Sequence, residues 1–600
     1  MNGNCILPAA LSLLAGWAGI AGAAPLKLHA IFTDHMVLQR GEPITIWGWA
    51  DVGEEVSVRF GDEEAETTAA GEAGRWEVTF PAREAGAGAI TLTVSAGGES
   101  VELEDILIGE VWVLYGQSNM AWSLDKTTGA DVALAQADLP LLRHFRIQTN
   151  EQETLQTDIR AEAIINGGWE VSTPESAGGF SGIGYHFGAT LQRALGIPVG
   201  LISAARGGAS IESMVPAHKF AEDPIAKRYS DSVAERIAAF DPRATALEVW
   251  ENQVNRAKGR NLPEAEWPEK PEGFENLTSW QIPGKSPSDA ASIYNGMFGV
   301  FKGLKLKGVL FHQGYNNAIA GNCRPRLYRV LTRLMIEGIR EDFDKPDLAF
   351  CIIGLCAGGD AQHTDNFELE SIDPGPYIRE AQRLGLADVE DQTHLKFIPA
   401  YDVRIPGLHP EKKREHGERA ARWALATLHP ETGVGWREVE LLSVATQGEE
   451  FVLTFSASII DSTRSSIPEG FSIAGEDGKF YMAHARYAED KGHPSQRPNV
   501  IRVWSPLVGK PVALRYAWAR APMGNLKMMG HPDLPFPSFR TDDWDFPESD
   551  DPTEALLGSR GAWNAVKAEA EERFEFRRSE EAKRGLEVLE GIKRLGRPIE

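Results

Sequence analysis

The residues of this chain that could do chemistry begin with Gly116-Gln117-Ser118-Asn119-Met120, which follows the apolar run Ile106 to Tyr115, broken only by Gly109 and Glu110. A buried strand that runs straight into a small polar turn can present a hydroxyl at its end, so Ser118 is the candidate nucleophile. The Gly-x-Ser-x-Gly elbow is not the motif here, because Met120 stands where its second glycine would be. A serine hydroxyl attacks poorly at neutral pH without a base within hydrogen-bond reach. Of 14 histidines, His409 stands out: it ends the irregular stretch Ile405-Pro406-Gly407-Leu408 and is followed at once by Pro410. Proline at a first helical position predicts a helix over Glu411 to Leu425, with His409 pinned at its entrance and its ring free to turn into a cleft.

Attack on a carbonyl builds negative charge on its oxygen, which needs donors fixed in advance. The backbone N–H of Ser118 is one candidate. Gly207-Gly208, just past the apolar run ending at Ala205, is a second, since glycine lets the backbone come close to a substrate. Gln313, in Phe311-His312-Gln313-Gly314-Tyr315-Asn316-Asn317, is a third, again directly after an apolar run. Each is weak alone. Three at predicted strand ends, between a serine and a histidine, point together to acyl transfer.

Positioning such groups requires a sheet. Between Ile106 and about Pro430, apolar runs alternate with helical stretches: Tyr185 to Leu195 before Pro198 to Ala205, then Gly308 to Phe311, Arg326 to Arg340 and Leu348 to Leu355. Strands alternating with helices predict an α/β domain with a parallel sheet, whose functional groups gather at the carboxyl ends of its strands. From Leu26 to about Glu104, short β-type runs such as Ile44 to Trp49, Val56 to Phe60, Trp76 to Phe80 and Ile90 to Val94 predict a small β-sandwich. Strand-like runs return from Val439 to Asp542, including Glu450 to Phe455, Val500 to Trp504 and Val512 to Trp518. The predicted division is 24–104, 105–432 with an insertion at about 215–289 that could shape the substrate site, 433–545, and a charged, solvated helical tail at 546–600.

Six hundred residues exceed one core, and a formal charge of −25 argues against a nucleic-acid partner, which needs clustered Lys and Arg. Met1 to Ala23, with the apolar stretch Ile6 to Ile20, has the pattern of a secretory signal and predicts a secreted or periplasmic protein. No later segment has the roughly 20 unbroken apolar residues of a membrane span. Besides Cys5, only Cys323, Cys351 and Cys356 are present. Three thiols make no disulfide framework, and no paired Cys or His at ligand spacing lies near Cys351 and Cys356, so a buried strand is expected there rather than zinc.

Taken together, the chain resembles the sialate O-acetylesterase family, a branch of the SGNH (GDSL-like) hydrolases, from Leu26 to about Asp542. The resemblance rests on Ile31-Phe32-Thr33-Asp34-His35-Met36-Val37-Leu38-Gln39-Arg40, Trp47-Gly48-Trp49-Ala50 and the Gly116 to Met120 block. It continues through Tyr294-Asn295-Gly296-Met297, His312-Gln313-Gly314, His409-Pro410, Arg515-Tyr516-Ala517-Trp518 and Phe539-Arg540-Thr541-Asp542. It implies a three-layer α/β/α parallel-sheet catalytic domain flanked by β-sandwich-like domains. It also implies removal of O-acetyl groups from sialic acid or related sugars, with no metal or organic cofactor.

By the same resemblance Ser118 is the nucleophile, Gly207 or Gly208 the glycine donor, Gln313 and Asn317 the amides near the oxyanion, and His409 the base. Gln117, Asn119 and Arg206 are expected at the substrate, Arg206 as a possible partner of a sugar carboxylate. The wider superfamily often has an acid three residues before the histidine. Here that place holds Pro406, so Asp402, the nearest upstream acid, is the candidate for orienting the imidazole, with a Ser-His dyad oriented by a backbone carbonyl as the alternative. Tyr315 stands where the family typically has Glu. A different class of reading, an inactive carbohydrate-binding scaffold with a degenerate hydrolase core, is disfavoured by the intact Ser118, Gln313 and His409.

Overall fold

The computed structural model describes residues 25–594 apart from 357, 404–406, 462–466, 489–498, 529–530, 545–553, 556 and 558. The expected leader and Pro406 therefore lie outside the described residues. The central sheet contains β1 (Glu99–Gly116), β2 (Leu139–Arg146), β3 (Glu170–Ser172), β4 (Val199–Ala205), β5 (Gly308–His312), β6 (Ala349–Ile353) and β7 (Leu395–Ile398), in the spatial order β3-β2-β4-β1-β5-β6-β7. All neighbours are parallel except β3 with β2. Every residue of β4, β5 and β6 is buried, which explains why these strands read as unbroken apolar runs rather than alternating ones.

The crossover helices are α1 (Gly182–Leu195), α2 (Pro325–Asp342), α3 (Gly375–Ala387) and α4 (Arg414–Leu428). They pack in two pairs, α1 with α4 and α2 with α3. The predicted helix after Pro410 starts later than expected, at Arg414. Residues 410–413 are held by other contacts: the Glu411 carbonyl accepts from the Thr128 amide, and the Lys413 side chain turns inward to Asn119. His409 thus sits on a loop five residues ahead of the helix, not at its entrance.

The N-terminal runs form strands at Ile44–Trp49, Glu55–Phe60, Arg75–Phe80 and Gly86–Ala96. The strand β1 pairs first with Gly86–Ala96 and Val37–Gln39, then from Glu110 onward with β4, and from Trp112 also with β5. One 18-residue strand therefore carries the chain from the N-terminal β region into the central sheet, and the predicted division at residue 104 falls inside it.

The C-terminal β region docks on the α/β region through arginines. Arg540 pairs with Glu380, Arg520 with Asp373, and Arg379 donates to the carbonyls of Ala517 and Ala519. The tail forms a helix at Arg560–Arg594, and it is not wholly solvated as expected: its Arg577 is buried in an ion pair with Glu368.

Candidate active site

Register, more than any single motif, assembles the site. Ala205 lies opposite Gly116 on one side and His312 opposite Gly116 on the other, so β4, β1 and β5 end at one level. Ser118, Gly207-Gly208 and Gln313 each follow within three residues of those ends. Gly116 allows the close approach: its φ is 146°, and a Cβ there would lie 2.1 Å from the His312 carbonyl oxygen. Beyond it the chain turns into the short helix Ser118–Ala121, with Ser118 as its first residue. The amides of Met120 and Ala121 both donate to the Gln117 carbonyl, while that of Ser118 heads the helix.

His409, 291 positions later in the sequence, comes to within 2.9 Å, Nε2 to the Ser118 Oγ. With a proton on Nδ1, a neutral imidazole in this place can accept a proton from the serine at Nε2, the geometry that a general base requires. Burial, and then the charge of Lys413, hold the His409 pKa below its ordinary 6.5. The ring is stacked on Trp122, with centroids 4.6 Å apart and planes 14° from parallel. The loop before it is tied down as well, since Asn119 Nδ2 donates to the Leu408 carbonyl at 3.0 Å.

Asp402 is not brought to this imidazole. Arg419 holds both its oxygens at 2.9 Å, and Lys527 donates to Oδ2. The carboxylate is thus consumed in an ion-pair cluster that joins α4 to the C-terminal β region. Among the described residues no carboxylate hydrogen-bonds to His409; a flat aromatic stack and a tethered loop stand where an acid was expected.

The amides also take different places from those expected. Gln313 donates both N–H groups, to the Ala209 carbonyl and to Asn317 Oδ1, and its own Oε1 accepts from Tyr328. It therefore holds the Gly207-Gly208 loop and offers no free donor to an oxyanion. Asn317 accepts from the Ile211 amide and donates one N–H to Glu212. Gln117, buried, accepts from the amides of Gly314 and Tyr315, and so staples the first and third turns together. Asn119 is buried too, between Leu408 and Lys413. Neither flanking amide side chain lies open to a substrate. Tyr315 donates its hydroxyl to the Cys356 carbonyl.

The glycine loop does reach the serine. A Cβ on Gly207 would lie 3.8 Å from the Ser118 Cβ, and Gly208 has φ +75°, a conformation that favours glycine. Arg206 donates its backbone N–H to the Gly116 carbonyl at 2.9 Å. Its guanidinium is engaged by the buried Glu151 at 2.5 Å and by the Gly207 carbonyl at 2.8 Å. The expected partner of a sugar carboxylate thus already has a carboxylate.

Sequence reasoning missed Lys413, Trp122 and Glu151. A lysine in Pro-Glu-Lys-Lys reads as solvated, yet Lys413 is fully buried and donates to Asn119 Oδ1 at 2.5 Å; burial lowers its pKa to about 8. It also missed a grouping behind the nucleophile turn: the ligand atoms of buried His312, Cys356 and His416 lie within 4.8 Å of one another. Among the described residues Cys323, Cys351 and Cys356 are free and buried. The group has metal-binding residue types, but burial holds both imidazoles neutral and the Lys413 charge lowers their proton affinity further. The same charge opposes a metal cation, so these residues fit a neutral buried cluster better than a metal centre.

No family model matches the chain. Among curated proteins, the sialate O-acetylesterase of Rattus norvegicus is 25% identical over 355 residues, covering 56% of this chain and 60% of the relative. That of Homo sapiens is 24% identical over 345 residues, covering 55% of each. The chain thus spans little more than half the length of these curated relatives. Among solved structures, a carbohydrate acetylesterase from Xanthomonas citri superposes with a TM-score of 0.66 at 25% identity, covering 87% of this chain and all of the other. On these likenesses, and on the ordered blocks around Ser118, Gln313 and His409, the chain is similar to the sialate O-acetylesterases and to a carbohydrate acetylesterase.

Proposed function

We propose that the protein is a carbohydrate O-acetylesterase of SGNH type, with a three-layer α/β/α catalytic region between two β-sandwich-like regions. The observation that carries this reading is the 2.9 Å contact between Ser118 Oγ and His409 Nε2, made at the aligned ends of three parallel strands. In the first step Ser118 attacks the acetyl carbonyl while His409 takes its proton. The tetrahedral oxyanion is met by the backbone N–H of Ser118 and of Gly207 or Gly208, with the remaining N–H of Asn317 nearby. His409 then returns the proton to the departing sugar hydroxyl. Water, deprotonated by the same imidazole, releases acetate from the acyl-serine. The Trp122 stack and the Asn119 tether on Leu408 hold the imidazole in place of an acid. No step in this sequence calls for a metal or an organic cofactor. The pattern of Met1 to Ala23 supports export, and no helix among the described residues is long and apolar enough to cross a membrane.

Acetate release from O-acetylated sialic acid, acetyl xylan and an aryl acetate tests the reading. Hydrolysis of at least one sugar acetate is expected. A protein inert on all three that still binds glycan is instead the scaffold.

The pH profile checks the imidazole's setting. Because His409 is held below 6.5, and the imidazole must be neutral to act, the acid limb of kcat/KM is expected below pH 6.5. Lys413→Met removes a positive charge that disfavours the imidazolium, so the limb should move to higher pH. A limb that stays in place in this variant would show that Lys413 does not set the base.

A further inference from the structure

Trp280 lies against the glycine loop beside Ser118 and is not used by the catalytic scheme. It lies in the 215–289 insertion, at the middle of a one-turn helix, Ser279–Gln281, locked by reciprocal bonds between Thr278 and Gln281. Although the side chain is a large aromatic, 46% of the residue's surface is exposed. Its position is set against the donor loop: a Cβ on Gly208 would lie 2.7 Å from Trp280 Cη2 and 2.8 Å from Cζ2. Only a glycine lets the indole edge rest there. Gly207, the preceding residue, abuts Ser118, so the indole contact and the serine contact fall on adjacent residues of one loop.

The Arg206 guanidinium lies 5.9 Å from the Trp280 ring centroid. Its charge is compensated by Glu151, whose side chain is 1% exposed and which therefore cannot be traded for a ligand carboxylate without leaving a buried charge unpaired. The wall of the site on this side is thus an exposed indole backed by a neutralised ion pair. A surface of that kind suits the C–H face of an uncharged pyranose, which combines an apolar face with polar edges. It does not suit a free sugar acid.

Resting on the esterase reading, we propose that Trp280 is the stacking wall of a sugar subsite beside Ser118, and that its occupant is an uncharged pyranose of an acetylated oligosaccharide. The insertion thereby selects the acceptor glycan, while the strand ends carry out the acyl transfer.

The test compares wild type, Trp280→Ala and Trp280→Phe on acetylated xylo-oligosaccharides, acetylated gluco-manno-oligosaccharides, O-acetylated sialic acid and 4-nitrophenyl acetate. For Trp280→Ala, the ratio of kcat/KM on the better neutral oligosaccharide to that on the aryl acetate should fall about tenfold or more, through KM, as for loss of a buried aromatic anchor. Trp280→Phe should restore most of it. An unchanged ratio overturns the proposal, because it means that Trp280 merely props the Gly208 loop. A fall confined to the sialic acid ester overturns it as well. Should wild type hydrolyse none of these esters, the esterase reading fails, and the subsite is judged separately by intrinsic tryptophan fluorescence. Binding of the neutral oligosaccharides to Ser118→Ala that is lost in Ser118→Ala/Trp280→Ala supports it, and absence of binding to Ser118→Ala sinks it.

Discussion

Ser118→Ala is expected to lower acetyl-ester turnover by roughly 10⁵ to 10⁶-fold, the scale seen when a serine hydrolase loses its nucleophile. The reason lies in how the site is divided. In the proposed mechanism the hydroxyl is the group that forms the acyl bond, and His409 has no work once the Oγ that it contacts at 2.9 Å is gone. The backbone donors remain, because they depend on the register of β1, β4 and β5 and not on the side chain. Residual activity above background is therefore expected, and a His409→Ala variant should be about as impaired as Ser118→Ala, with the double variant little worse. Initial rates of acetate release for the two single variants and the double variant check this. Turnover of Ser118→Ala within tenfold of wild type would remove Ser118 from the mechanism.

Asp402→Asn is expected to do the opposite of what a triad aspartate does: turnover should stay within about tenfold of wild type, against about 10⁴-fold for loss of a triad acid, while stability falls. Burial by itself would raise the pKa of Asp402, but the charges of Arg419 and Lys527 outweigh it and hold the carboxyl below its ordinary 3.8. Neutralising it leaves two largely buried cations without their partner. Breaking such a buried cluster costs about 3 to 5 kcal/mol. A carboxyl with a depressed folded-state pKa stabilises the fold above its unfolded pKa, and that contribution disappears as pH falls through the folded value. The urea midpoint of Asp402→Asn should thus lie well below wild type at pH 7, and the gap should begin to narrow only below about pH 4, the unfolded value, and close as pH falls through the lower folded one. A large loss of turnover with an unchanged midpoint would return Asp402 to the imidazole.

That Ser118, His409 and the glycine loop would stand out was legible because each carries a local signature. Ser118 ends an apolar run, Gly207-Gly208 and Gln313 follow apolar runs, and His409 precedes a proline. The parallel sheet was legible for the same reason, since β4, β5 and β6 are buried on both faces and so are written as continuous apolar segments. The late start of α4 was not legible. Pro410 would suit a first helical position, but Lys413 gives its side chain to Asn119, 294 positions earlier in sequence, and the chain stays irregular until Arg414. Nor was the job of Gln313 legible, because an amide at a strand end looks the same whether it faces substrate or braces a neighbouring loop.

By itself, then, the sequence determined which residue types stand at the strand ends and in what order, because burial periodicity and turn chemistry are local properties of the chain. Which of them touch was decided only by the tertiary structure. Strand register brings Ser118 beside Gly207, and Arg419 of α4 together with Lys527 of the C-terminal β region takes Asp402. The 215–289 insertion sets Trp280 against Gly208. Ion pairs, stacks and close approaches between residues tens to hundreds of positions apart depend on tertiary geometry, which no local pattern encodes.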